Sequence, residues 1–172
     1  MKKIVLVGYM GSGKSHIGQL LSKMLHLHYL DLDDVIENHE NKSIKNIFET
    51  QGEIYFRKIE HQILNELMQN ANDMVLSLGG GTPCYYDNYH WLENPKIQSI
   101  YLEASVATLF ERLQTQKAKR PILAPLSDDE MSSFIAKHLF ERNEFYRKSQ
   151  HIVSVNQKTP EQIVQEILLL LA

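Results

Sequence analysis

The apolar residues of this chain fall into short uninterrupted runs, separated by longer stretches in which they recur every three or four positions. Five short stretches predict β-strands, at residues 2–7, 28–31, 74–78, 97–102 and 151–155, and the first of them contains an apolar, β-branched run. Uninterrupted runs of this length are typical of strands that are buried on both faces of a parallel sheet. We therefore expect a five-stranded, mostly parallel sheet made of buried strands.

The stretches between the runs predict helices. Ser43, Ser127 and Thr159 stand where helix N-caps are expected, and Gly52 is expected to interrupt the helical pattern. Strands that alternate with helices indicate an α/β fold of three layers, with helices on both faces of the sheet. Apolar positions at helical spacing mark residues 17–25, 44–48, 53–70, 106–113, 127–148 and 160–171, and a shorter helical stretch is expected from Val35.

The composition is that of an ordinary globular chain, and it disfavours several classes of function. Of the 172 residues, 43% are hydrophobic and 23% are charged, and the formal net charge is -3. A negative chain without a basic cluster argues against nucleic-acid binding. The longest apolar run, residues 167–172, is far shorter than the roughly 20 residues that span a bilayer, so no membrane partner is expected.

The first strand and the cysteine count bear on the cellular location of the chain. The chain enters a predicted strand at residue 2, which leaves no room for a signal peptide, and Cys84 is its single cysteine. A single cysteine excludes an intramolecular disulfide and a cysteine-based metal cluster, as is usual in a reducing compartment. We expect a cytoplasmic protein of one domain, residues 1–172, that works as a monomer.

Residues 8–15, Gly-Tyr-Met-Gly-Ser-Gly-Lys-Ser, carry the clearest chemical signal and are called the phosphate loop below. They match G-x-x-x-x-G-K-[ST] at every fixed position and lie between a predicted strand and a predicted helix, as that pattern requires. Backbone N–H groups of such a loop, together with the helix N-terminus, bind the phosphates of a nucleoside triphosphate. Nucleotide contacts are expected from Gly11, Ser12, Gly13, Lys14, Ser15 and His16.

Two side chains of the phosphate loop have separate roles in this motif. Lys14 reaches the β and γ phosphates, and the Ser15 hydroxyl ligates the Mg²⁺ that bridges them. The loop, the predicted sheet and its helices together indicate a P-loop NTPase-type fold. In such sheets ligands bind outside the carboxyl ends of the strands, so the acids after the second strand and the glycines 79–81 should open into the same cleft as the loop.

Five motifs in order resemble those of the shikimate kinase family. They are Asp31-Leu32-Asp33, Phe56-Arg57-Lys58-Ile59-Glu60, Gly79-Gly80-Gly81, Arg120-Pro121-Ile122-Leu123, and Arg142 with Tyr146. The resemblance runs from residue 2 to the last helix. It implies an ATP-dependent kinase of one domain that transfers the γ-phosphoryl group to the 3-hydroxyl of shikimate, with Mg²⁺ as cofactor and ATP and shikimate as its small-molecule partners.

The resemblance also implies how the acceptor is bound. Arg57 and Arg142 would clamp the shikimate carboxylate, for which a planar guanidinium is suited. Asp33 would accept a hydrogen bond from the acceptor hydroxyls and orient or deprotonate the attacking one. The acceptor region covers residues 33–61, and the backbone of Gly79, Gly80 and Gly81 would complete the pocket.

The resemblance also implies two arginines that contact the nucleotide. Arg120 resembles the arginine of a lid, residues 114–126, whose two prolines and missing period predict a mobile, surface-exposed segment. With Lys14 and Asp33 it forms the expected catalytic set, because phosphoryl transfer depends on positioning and on neutralised charge. Arg112 resembles an arginine that packs on adenine, and Asp31 would reach Mg²⁺ together with Ser15.

The sequence departs from the family at two places and leaves alternatives open. His16 stands where threonine is usual, and Asn143-Glu144-Phe145 replaces a common proline and leucine. Ser77 in the third strand, as in the family, supplies no second acidic magnesium ligand. Taken singly, Arg57 is an ion-pair partner for Glu60, Asp31 and Asp33 are turn or N-cap residues, and Arg142 pairs with Glu141 or Glu144. The alternative functions are a kinase of gluconate or of a nucleoside monophosphate, and a silent nucleotide-binding module.

Overall fold

The computed structural model describes residues 2–172. Its five strands form one parallel sheet in the order β2-β3-β1-β4-β5. The strands are β1 Lys3–Val7, β2 His28–Asp31, β3 Met74–Ser77, β4 Ile97–Glu103 and β5 His151–Ser154. The helices are α1 Lys14–Leu25, α2 Leu32–Glu40, α3 Ile44–Gln69, α4 His90–Glu93, α5 Val106–Gln114, α6 Asp128–Tyr146 and α7 Pro160–Leu170. The predicted α/β fold, a parallel sheet flanked by helices, is confirmed.

Burial differs sharply between the centre and the edges of the sheet. Every residue of β1 and β3 is buried, whereas β2 at one edge has no buried residue and β5 at the other has one, Val153. The expectation that all five strands are buried on both faces is wrong for these two. An edge strand has a neighbour on one side alone, and here Ile152 of β5 remains 40% exposed.

Gly52 divides α3 in two, as the sequence predicts. Its backbone angles, φ 84° and ψ 170°, lie in a region that glycine alone adopts without strain, while a Cβ built there would meet nothing within 4 Å. The helical residues that follow Gly52 therefore start in a new direction. This second part of α3 carries Arg57 and Glu60.

Lys3 joins the start of the central strand to the end of α3. The residue is 5% exposed, and its Nζ donates to the backbone oxygens of Leu67 (2.7 Å), Met68 (2.7 Å) and Asn70 (2.6 Å). These carbonyls belong to the last turn of α3, whose oxygens have no partner further along the helix. The ammonium thus satisfies a helix C-terminus that lies against the sheet.

Three short elements lie outside the sequence prediction. Residues Thr82–Cys84 form a 3₁₀ turn after the glycines, Lys117–Lys119 form another within the segment 114–126, and α4 precedes β4. In the part of the chain that the structure describes, no helix has both the length and the apolar character needed to cross a bilayer.

Candidate active site

An open cleft of about 610 Å³ lies at the carboxyl ends of β1, β2 and β3. The phosphate loop, the acids after β2 and the first two of the three glycines all line it, so the predicted convergence is confirmed. Its lining residues include Gly11, Gly13, Lys14, Ser15, His16, Asp31, Asp33, Gly79, Gly80, Arg112 and Arg120. Arg57, Gly81 and Arg142 are not among its lining residues and lie beside it.

The phosphate loop presents unpaired polar groups to this cleft. Helix α1 begins with the bond from Ile17 N to Gly13 O (2.9 Å), and no side chain caps its N-terminus. The N–H groups of residues 14–16 therefore have no carbonyl within the helix. These N–H groups fit the oxygens of a phosphate group. The Ser12 hydroxyl, which is buried and is not among the groups that line the cleft, also has no hydrogen-bond partner within residues 2–172.

Lys14 folds back over the loop that carries it. Its Nζ donates to Gly8 O (2.7 Å) and Tyr9 O (3.1 Å), so the ammonium is surrounded by protein although part of the residue faces the cleft. Burial lowers the pKa of Lys14 to about 8, and the nearby Asp31 and Asp33 oppose that shift. The ammonium is charged at neutral pH and lies where phosphate oxygens would replace its carbonyl partners.

Ser15 and Asp31 lie together at the floor of the cleft. Ser15 Oγ donates to Asp31 Oδ2 (3.2 Å), while Asp31 Oδ1 accepts from Asp33 N (3.0 Å) and caps α2. Asp31 is therefore both the N-cap of α2 and a neighbour of the phosphate loop. Within residues 2–172 no cluster of three or more His, Cys, Asp or Glu side chains is suited to a metal ion. These two oxygen ligands fit Mg²⁺ whose other ligands are nucleotide and water oxygens.

Asp33 is half-buried between the acids and the glycines. A Cβ placed on Gly79 would lie 3.3 Å from Asp33 Oδ1. Burial, together with the charges of Asp31 and Glu60, raises the pKa of Asp33 to about 6. The carboxylate is thus ionised at pH 7 and basic enough to accept a proton.

Arg57 combines an ion pair with a place beside the glycines. Its Nη1 donates to Glu60 Oε1 (3.0 Å), and its Nη2 would lie 2.9 Å from a Cβ on Gly81. Glu60 is 1% exposed and also accepts from Thr82 Oγ1 (2.7 Å). The guanidinium stacks over the Tyr85 ring at 4.0 Å from its centroid. The ion pair holds Arg57 in place while its other edge faces Gly81.

Arg142 approaches the next glycine from α6. Its Nη1 would lie 2.9 Å from a Cβ on Gly80, and Tyr146 OH donates to Gly80 O (2.5 Å). A Cβ at Gly80 or Gly81 would push these flexible guanidinium groups aside, so the two glycines leave room for both arginines beside the backbone. Within the described residues Arg142 forms no ion pair with a neighbouring glutamate, in contrast to the simpler interpretation of its helix position.

The segment 114–126 covers one side of the cleft. Arg120 Nη2 donates to Gln116 Oε1 (3.2 Å), its Nη1 lies 3.8 Å from Met10 Sδ, and its buried Nε has no partner in the described chain. The expectation of a surface-exposed segment is wrong at Leu123, which is fully buried. An apolar side chain therefore anchors the segment next to its arginine.

Arg112 and His16 also line the cleft. Arg112 Nη1 donates to Gly11 O (3.1 Å) and Ser12 O (3.3 Å), so this arginine braces the phosphate loop. His16 is exposed at the rim. The expected stacking of Arg112 on adenine stays a prediction.

Two residues of the site were not found from the sequence. Tyr9 occupies a position that the phosphate-loop pattern leaves free, and its ring is 1% exposed. Thr82, fully buried, holds Glu60. The only signal for Thr82 was its place directly after the three glycines, and nothing in the pattern marked Tyr9.

Comparisons with known proteins agree with this geometry. A family model described as shikimate kinase matches residues 10–172. The chain is 52% identical to a shikimate kinase of Flavobacterium johnsoniae over 172 residues, 100% of both chains. A solved shikimate kinase of Bacteroides thetaiotaomicron is 36% identical with a TM-score of 0.89, over 99% of this chain and 98% of that one. A shikimate kinase of Acinetobacter baumannii, solved in complex with shikimate, is 31% identical with a TM-score of 0.86, over 99% and 93%.

Proposed function

Since this chain belongs to the shikimate kinase family, we propose how its residues carry out the ATP-dependent phosphorylation of shikimate. The phosphate loop takes the nucleotide, and the 3-hydroxyl of shikimate receives the γ-phosphoryl group. One observation supports the acceptor above all: two arginines from different elements lie against adjacent glycines, within reach of Asp33 and the loop.

The acceptor site recognises a carboxylate next to hydroxyl groups. Arg57 and Arg142 offer two planar forks on the side of Gly80 and Gly81, which suits bidentate pairing with one carboxylate. Asp33 accepts a hydrogen bond from the ring hydroxyl that attacks. The backbone of Gly79 to Gly81 forms the wall between them, and residues 33–61 form the acceptor region.

The nucleotide site is the cleft itself. The backbone N–H groups of Gly11 to His16 and the Ser12 hydroxyl bind phosphate oxygens, and Arg112 braces the loop on the adenosine side. Ser15 and Asp31 would hold Mg²⁺ beside the phosphates. When bound, this ion neutralises phosphate charge.

The protein's own groups then divide the chemistry. Asp33 orients the hydroxyl and takes its proton, for which a pKa of about 6 is suited. Lys14 and Arg120 stabilise the negative charge that develops on the transferred group. The lid segment, residues 114–126, closes over the phosphates and keeps water from competing with the acceptor.

All these groups come from one chain, so we propose that residues 1–172 act as a single kinase domain and as a monomer, in the cytoplasm where ATP is supplied.

The direct test is ADP release from Mg²⁺ and ATP by the purified protein, with shikimate, gluconate and nucleoside monophosphates supplied one at a time. We expect rapid turnover with shikimate alone. Turnover with another acceptor would reassign the pocket beside Gly80, and ATP binding without any turnover would favour a silent nucleotide-binding module.

A second arm tests the carboxylate clamp. Calorimetric binding of shikimate is compared with that of its methyl ester, in the wild type and in Arg142→Lys. We expect the ester to bind at least tenfold more weakly to the wild type, and Arg142→Lys to bind shikimate about tenfold more weakly. Arg147→Lys is the matched control, because Arg147 follows the same helix but pairs with Glu103. Equal binding of acid and ester would contradict the clamp.

A further inference from the structure

Tyr9 connects the phosphate loop to helix α6. It lies between Gly8 and Met10, and its hydroxyl is hydrogen-bonded to His138 Nδ1 (3.0 Å). The two rings also meet edge to face, with centroids 5.4 Å apart and planes at 88°. Burial lowers the pKa of His138, and the Arg142 charge acts in the same direction, so the imidazole is neutral at pH 7. The contact is thus a hydrogen bond between neutral groups.

The same ring also lies under Arg142. The guanidinium carbon of Arg142 is 5.8 Å from the centroid of Tyr9. His138 and Arg142 are four residues apart on α6 and therefore share one face of the helix. The His138 bond fixes the angle of the ring, and the ring in turn supports the arginine.

The backbone of Tyr9 belongs to the nucleotide side. Its carbonyl accepts from Lys14 Nζ (3.1 Å), and the next residue, Met10, contacts Arg120. Phosphate oxygens that bind Lys14 compete with this carbonyl. Tyr9 therefore contacts the lysine of one substrate site through its backbone and the arginine of the other through its ring.

We propose that Tyr9 is a positioning residue that sets the Arg142 guanidinium and couples the occupancy of the nucleotide site to affinity for the acceptor. This inference rests on the assignment of Arg142 to the shikimate carboxylate. When the nucleotide binds, Lys14 exchanges the Tyr9 carbonyl for phosphate oxygens and the phosphate loop becomes ordered around the phosphates. The ordered loop then holds the Tyr9 ring, and through it the Arg142 guanidinium, in the position that binds the acceptor. By linkage the coupling is reciprocal, so the acceptor strengthens nucleotide binding by the same factor.

The alternative is that Tyr9 merely fills the core, since it is almost fully buried. A filler and a positioning residue differ in what their removal changes. Loss of a filler lowers stability and weakens both ligands through the fold. Loss of the positioning role weakens shikimate selectively and removes the dependence on nucleotide.

The experiment measures the calorimetric dissociation constant of shikimate with and without saturating Mg²⁺ and ADP. In the wild type we expect tighter binding with nucleotide. Tyr9→Leu removes the ring and the hydroxyl and should weaken shikimate binding about three- to tenfold. The ratio of the shikimate dissociation constant without nucleotide to that with nucleotide should fall close to one. KM for shikimate should rise more than KM for ATP. Tyr9→Phe keeps the ring, so it should keep more than half of the tightening of shikimate binding by nucleotide. It is therefore the conservative variant that restores the wild-type behaviour.

Two further variants keep the test decisive if Tyr9→Leu folds poorly. His138→Phe removes the hydrogen bond from the other side and should lower the ratio as Tyr9→Phe does. Leu92→Ala is the stability control: Leu92 is fully buried at the opposite end of the sheet, so its loss should lower Tm without changing either dissociation constant. A ratio of one in the wild type, or an unchanged ratio in Tyr9→Leu, would overturn the coupling. If the wild type failed to bind or phosphorylate shikimate at all, the acceptor assignment itself would be wrong.

Discussion

Asp33 shows at the scale of one side chain how folding and chemistry make opposite demands. Burial and three neighbouring carboxylates raise its pKa from 3.8 to about 6 in the folded chain. Between these values the folded protein binds more protons at this site than the unfolded chain does, so its contribution makes stability fall as pH rises. At pH 7 the ionised carboxylate is a cost to the fold that the proposed mechanism requires.

We therefore expect Asp33→Asn to make the protein more stable and inactive. The gain should be about 1–2 kcal/mol at pH 7, allowing for partial solvent contact, and should disappear below pH 4. Turnover should fall by about 10²-fold or more, because the acceptor hydroxyl loses its base. Urea denaturation and initial rates measure both effects. Asp129→Asn is the control, since Asp129 is an exposed acid in the first turn of α6 and lies outside this cluster of charges; a loss of stability in Asp33→Asn would contradict this explanation.

Lys14 provides a second residue-scale prediction. Its pKa of about 8 leaves a large neutral fraction at pH 8.5, and phosphate oxygens would restore the charge. Binding of Mg²⁺ and ATP at pH 8.5 should therefore take up a substantial fraction of one proton from solution. Calorimetry in two buffers of different ionisation enthalpy measures this uptake, which Lys14→Met should abolish. Equal heats in both buffers for the wild type would show that Lys14 is fully charged before binding.

The residues that sequence analysis found are those whose type the chemistry dictates. Lys14 and the glycines stand at fixed positions of a local pattern. The contact between Tyr9 and His138 joins positions 129 residues apart, and it exists only because α6 packs over the phosphate loop. No local pattern contains that information.

At the scale of elements, the lid segment depends on one buried side chain. Leu123 is fully buried between exposed neighbours, and its N–H donates to Arg120 O (3.0 Å). This turn ties the backbone of the lid arginine to an apolar anchor. The position of Arg120 over the cleft is therefore set by packing as well as by its own hydrogen bonds.

Leu123→Ala should loosen the lid and spare the acceptor site. We expect kcat to fall about tenfold, because Arg120 is less often in place, while the dissociation constant of shikimate changes less than twofold. Steady-state kinetics and calorimetry give the two values. Ile122→Ala is the matched control, since Ile122 is 61% exposed. An equal effect of both variants would show that Leu123 is no anchor.

Most elements were predictable because their patterns are local. The five strands, the N-caps Ser43, Ser127 and Thr159, and the break at Gly52 all follow from runs, spacing and capping chemistry. Between β3 and β4 the apolar residues do not recur at a regular spacing, and no residue is a clear helix N-cap. The short helices of this stretch form through turns that the apolar pattern does not predict.

At the scale of the whole molecule, the candidate active site and the Lys3 contact lie at opposite ends of the sheet. The cleft follows the carboxyl ends of the strands, whereas Lys3 satisfies the end of α3 at the amino end of β1. Strand order was not predicted, because the runs do not specify their neighbours. The partly covered edge strands are likewise a property of that order.

Lys3→Met should therefore destabilise the protein without affecting the reaction. Three helix-terminal carbonyls lose their donor, which we expect to lower the free energy of unfolding by about 2 kcal/mol. Urea denaturation measures this, and kcat should stay within twofold. Lys2→Met is the control, because Lys2 is exposed. A loss of turnover at a temperature where the variant is folded would contradict this separation.

The central place of β1 also has a consequence during synthesis. This strand precedes both of its partners in the chain, and β4 ends at Glu103. On the ribosome β1 therefore emerges as an apolar segment that stays unpaired until β3 and β4 have been synthesised. Nascent chains arrested before Glu103 has left the exit tunnel should not retain ATP, and chaperones that bind short apolar segments should find their site in residues 3–7.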